Sequence, residues 1–64
     1  MKELIDDIKN KKPIHVICNE HDLGIYEYNE KRNRYEGMGF LAIETIKDIL
    51  RGEIDFIELR RVEK

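Results

Sequence analysis

The sequence predicts a small α+β domain, an antiparallel sheet carrying two helices in the order α-β-β-β-α-β. Three observations carry that prediction. Apolar residues recur at helical spacing twice, near the start and over residues 42–50. Between them lie short runs rich in β-branched and aromatic residues, separated by polar turns. The chain is 64 residues long, enough for a single domain spanning residues 1–64.

The first helix is expected over residues 2–10, KELIDDIKN, with Leu4, Ile5 and Ile8 as its apolar stripe. Its acids Glu3, Asp6 and Asp7 precede the bases Lys9, Lys11 and Lys12, which suits the helix dipole. Pro13 biases Lys12 away from the helical region. Residues 14–19 then read as a strand, with Ile14, Val16 and Cys18 on one face and His15 and Ile17 on the other. NEHD, residues 19–22, reads as a turn and GIYEYN, residues 24–29, as the second strand. EKRN, residues 30–33, makes a four-residue turn into a third strand over residues 34–37. In that register Tyr28 faces Tyr35 and Tyr26 faces Gly37. All three tyrosines then share one face, with Glu27, Asn29, Arg34 and Glu36 on the other. Gly37 and Gly39 punctuate the crossover to the second helix.

Residues 42–59, AIETIKDILRGEIDFIEL, hold the densest aliphatic set and read as helix, glycine stop and strand. Ile43, Ile46 and Leu50 form the helix stripe, widened by Ala42 and Ile49, with Glu44, Lys47, Asp48 and Arg51 opposite. Gly52 sits where a left-handed C-terminal cap belongs. Ile54, Phe56, Ile57 and Leu59 follow, with a slip in parity between Phe56 and Ile57. That slip predicts an inner strand covered on both faces, or a bulge.

Composition narrows the function. The net charge is −2, from 12 basic and 14 acidic residues, a balance that supports neither a strongly basic nucleic-acid binder nor a polyacidic DNA mimic. A single cysteine and the lack of a leader-like opening predict a reduced, cytoplasmic protein. No apolar run approaches the roughly 18 residues a membrane span needs. The first helix lacks Trp and Phe and carries acids on its polar face, so no membrane anchor is expected either. So small a domain has little interior for the aliphatics of both helices and the last strand, which predicts a homodimer.

No motif for catalysis stands out. His15, Cys18, His21 and Asp22 have a spacing that invites zinc, but an offset of three on a strand sends His15 and Cys18 to opposite faces. The same geometry rules against a Cys–His nucleophile. The carboxylates fall on solvated faces, and Glu58, between Ile57 and Leu59, reads as an outward strand position. The glycines of GMGF lack the pattern of a phosphate loop. Neither a metal nor a cofactor is expected, and the chain does not read as an enzyme.

The candidate site is the hairpin. Tyr26, Tyr28 and Tyr35, with Lys31, Arg32 and Arg34 at the tip, can anchor a protein partner, where tyrosine and arginine are enriched. The alternative is a weak nucleic-acid binder, with bases stacked on the tyrosines and phosphates held by the three cations. The bland reading packs the tyrosines under a helix with their hydroxyls at the rim.

A helix ending in IKNK, the hairpin YEYNEKRNRYEG and the closing IETIKDILRGEIDFIEL resemble the small orphan proteins of phages and prophages of Gram-positive bacteria. The opening ELIDDIKNKKPIHVI is similar to that of a small prophage inhibitor family that blocks CRISPR nucleases. The resemblance implies a phage accessory protein that binds or inhibits a host or defence protein.

Overall fold

The computed structural model describes residues 2–62. Helix α1 spans Lys2–Lys9, strand β1 Ile14–Cys18, β2 His21–Asn29, β3 Arg34–Glu36 and β4 Phe40–Ala42. Helix α2 spans Ile43–Leu50 and strand β5 Ile57–Arg61. The strands form one antiparallel sheet in the order β4-β3-β2-β1-β5, and both helices pack on the same side of it. The α+β class and the two helices match the sequence; the fourth strand is additional.

Helix α1 ends on a double hydrogen-bonded turn. Lys11 N–H donates to Ile8 C=O at 3.0 Å and Lys12 N–H to Asp7 C=O at 2.9 Å, with Lys11 in the left-handed region at φ 60°. That is a Schellman cap with a lysine where glycine is usual. Helix α2 ends the same way around Gly52, φ 82°, with Gly52 N–H on Ile49 C=O and Glu53 N–H on Asp48 C=O. Gly52 is therefore the cap expected of it.

The β1–β2 turn is tighter than the sequence suggests. Asn19 and Glu20 alone make it, at φ 50° and 67°, as a two-residue hairpin loop of this twist requires. His21 and Asp22 consequently belong to β2 and pair with Cys18 and Ile17. Val16 pairs with Gly24, so Leu23 is an extra residue in a bulge, with Gly24 at φ 83°. The bulge reverses parity. It lets Leu23 join Tyr26 and Tyr28 on the helix-covered side.

The β2–β3 register is the one the tyrosines predict, with Tyr28 opposite Tyr35. Asn29 Oδ1 accepts the N–H groups of Lys31 and Arg32 at 3.0 and 3.3 Å and shapes the turn. Gly37 N–H donates to Gly39 C=O at 2.8 Å, which folds the chain back as β4. A Cβ on Gly37 would lie 2.5 Å from Tyr26 Cδ1, so the ring packs where a side chain would stand.

The last strand departs from expectation. β5 is a sheet edge rather than an inner strand, and it buries one face through Leu59. Residues 52–56 form the connection out of α2, and Phe56 is 52% exposed. The parity slip is thus the boundary between loop and strand, neither a bulge nor two-sided burial. The centre of the sheet belongs to β1 and β2. The largest fully buried side chains among the described residues are Tyr35, Ile14, Ile46 and Val16. Asp7 and Arg61 tie α1 to β5.

Candidate functional site

The hairpin residues do not form one surface. Tyr26 and Tyr35 are 3% and 0% exposed and belong to the core. Tyr26 Oη accepts Gly39 N–H at 3.2 Å, and Tyr35 Oη donates to Lys12 C=O at 2.8 Å. Burial pushes the Tyr35 phenol above its ordinary pKa, aided by the neighbouring Tyr28. The expectation that these two rings meet a partner is therefore corrected. The domain is short of large apolar groups, and the face opposite Glu27 and Glu36 is the one the helices cover. Tyr28 is half-buried, edge-on to Tyr35 with centroids 5.5 Å apart, and its hydroxyl donates to Asn33 Oδ1.

The three hairpin cations also part company. Lys31 and Arg32 are exposed at the tip. Arg34 lies on the uncovered face of the sheet, where its Nε donates to Glu36 at 2.6 Å and its guanidinium sits 4.1 Å from the Phe40 ring centroid. The hydrogen bonds from Asn29 and, after it, from Arg34 hold the Glu36 carboxyl below its usual pKa. No base-stacking platform results, because two of the three rings have no accessible face and Arg34 is on the opposite side from Tyr28.

His15 Nε2 and Asp22 Oδ1 are 2.6 Å apart on the uncovered face. That contact and the Gly24 N–H hold the Asp22 carboxyl below its usual pKa. Cys18 is half-buried. Among the described residues no three His, Cys, Asp or Glu side chains are placed to share a metal ion.

What the fold does assemble is a cleft between the helices. Ile5 and Ile8 of α1 face Ile43, Ile46 and Leu50 of α2 across a space of about 360 Å³. Tyr28 and Asn33 close the hairpin end. Lys9, Lys11 and Lys47 stand at its margin, and no carboxylate among the described residues lines it. Lys11 reaches over Tyr28, its Nζ 5.1 Å from the ring centroid, a cation–π contact. Lys47 makes an exposed pair with Glu44 at 3.6 Å.

Each wall follows from its stripe. On α1, Leu4 turns down into the core, which leaves Ile5 and Ile8 turned towards α2. On α2, Ile46 is the buried anchor and Ile43 and Leu50 flank it half-exposed. The stripes were legible in the sequence, but the gap between them was not. Periodicity says which side of a helix is apolar, not how far the next helix stands. The signal that was available is that each stripe is wider than one buried contact needs.

The chain matches no family model, no curated protein and no solved structure. No helix among the described residues is long and apolar enough to cross a membrane.

Proposed function

We propose that this chain is a small, non-catalytic protein-binding module, and that its partner docks in the cleft between α1 and α2 with Tyr28 at one end. The observation that carries this is the cleft itself. A domain of 64 residues, 41% of them charged, has few apolar side chains. Four of its aliphatics, Ile5, Ile8, Ile43 and Leu50, nevertheless stay partly exposed along an open groove whose floor is the buried Ile46. Apolar area left open in this way marks an interaction surface. Tyrosine at the end of such a groove is a residue type favoured at binding hot spots. The resemblance to phage accessory proteins makes a host or defence protein the class of partner.

Capture from bacterial lysate, run in parallel with wild type and Ile5→Asp, tests the reading. Ile5 lines the cleft and stands outside the buried cluster and the side chains packed on it, so the variant keeps its core. A protein enriched by wild type and lost with Ile5→Asp, both folded by circular dichroism, supports the proposal. A protein captured equally by both overturns it.

A further inference from the structure

The geometry points to the occupant of this cleft: an amphipathic helix whose apolar stripe is flanked by carboxylates. This rests on the reading of the cleft as the partner site and adds the partner's chemistry.

The walls decide the shape. Both are helices of eight residues, so each is about 12 Å long at 1.5 Å per residue. Helical walls have their backbone groups satisfied within themselves and offer no ladder to an extended peptide. Recognition must come from side chains. Two turns of a partner helix, with apolar residues at i, i+3 or i+4, and i+7, match the length of the walls. The space, about 360 Å³, holds roughly a dozen waters at about 30 Å³ each. Apart from Tyr28 and Asn33, whose polar groups bond each other, the side chains around that space are aliphatic or lie at the margin. Exchanging its water for aliphatic side chains is favourable.

Charge decides the flanks. The chain carries a net charge of −2, yet among the described residues the cleft is bordered by three lysines and no acid. The acids of α1 point elsewhere, Asp7 to Arg61. Lys9 and Lys11 have no carboxylate within ion-pair distance among the described residues. Lys47 has only the exposed Glu44, a contact that a partner's carboxylate can replace. Lys11 is held at φ 60°, a conformation that disfavours lysine, and in it the ammonium stands over Tyr28 at the mouth. Lysines come from both walls, Lys9 and Lys11 on one side and Lys47 on the other. A helix lying between them meets positive charge along both margins.

The test uses two stapled peptides of about 16 residues, because shorter free helices are marginal in water. Both carry leucine at the anchor positions; one has glutamate flanks and the other lysine flanks. Fluorescence anisotropy measures each against wild type, Ile5→Asp and Lys9→Glu with Lys47→Glu, with palmitate as a competitor. The acidic peptide should bind wild type about tenfold or more tighter than its basic twin, and the double charge reversal should invert the order. Ile5→Asp should abolish both. Equal binding of the two peptides would overturn the acidic-helix proposal while leaving the cleft as the site. Palmitate binding with neither peptide would do the same in favour of a small amphipathic anion. Peptide binding undisturbed by Ile5→Asp would overturn the cleft itself, and the proposed function with it.

Discussion

Arg61 Nε donates to Asp7 Oδ2 at 2.8 Å, joining residues 54 positions apart in the chain. The second guanidinium nitrogen reaches Oδ1 at 3.4 Å. The contact fastens α1 to the edge strand β5, and through α1 it sets one wall of the cleft. The hydrogen bond from Arg61 is the main reason the Asp7 carboxyl titrates below its ordinary value. A carboxylate with a depressed folded pKa stabilises the fold above the unfolded pKa, about 4, and loses that contribution as pH falls through the folded value. Asp22 and Glu36 are depressed as well and act in the same direction. Thermal melts should therefore fall as pH drops below about 4. Asp7→Asn should melt lower at neutral pH and lose less on acidification. A variant whose melting temperature tracks wild type at every pH would show that the pair contributes nothing.

Ile46 is 1% exposed and anchors α2. Ile46→Ala should cost about 2–5 kcal/mol, the range for buried aliphatic truncations, and largely unfold so small a domain. A melt within a few degrees of wild type would contradict the packing described.

Gly37 and Gly39 flank the same turn and are expected to behave differently. An added methyl at Gly37 meets the Tyr26 ring at 2.5 Å, whereas at Gly39 the nearest atom is Tyr26 Oη at 3.6 Å. Gly37→Ala should lose about 1–3 kcal/mol, as overpacked sites do, with Gly39→Ala much closer to wild type. Urea unfolding of the two variants compares them directly. Equal midpoints would show that the ring moves aside freely.

Lys11 couples stability to binding. Lys11→Gly relieves a left-handed conformation and should stabilise the fold by about 1 kcal/mol. The same change removes one cation from the cleft margin, so it should weaken the acidic peptide. A gain in both properties would detach Lys11 from the site.

The hairpin tip distinguishes protein from nucleic acid as the partner. Lys31 and Arg32 are exposed, whereas Arg34 is engaged by Glu36 and Phe40. Two free cations give a log–log salt slope of only about −2. Filter binding to single- and double-stranded DNA and RNA at physiological salt should show no complex. Submicromolar binding lost in Lys31→Ala with Arg32→Ala would make nucleic-acid recognition the better account.

Local chemistry is where the sequence was most informative. Tyr28 faces Tyr35 because four polar residues between β2 and β3 fix the register. Gly52 caps α2 because a left-handed residue must follow a helix that turns back at once. β4 was hidden, because Phe40–Ala42 is only three residues long and runs straight into α2. The burial of Tyr26 and Tyr35 was the bland reading of the hairpin, and competition for a small core decides in its favour. Edge or centre for β5 is a question of topology, to which aliphatic density is a poor guide. Likewise the cleft depends on the separation of two helices that the chain joins only through four strands.

Methyl-region NMR during titration with the acidic helical peptide tests the central claim most directly. The isoleucine and leucine methyls of Ile5, Ile8, Ile43 and Leu50 should shift together and saturate with one affinity. Ile17 and Ile25, on the uncovered face of the sheet, should stay in place. Shifts confined to Ile17 and Ile25, or none at saturating peptide, would contradict the account.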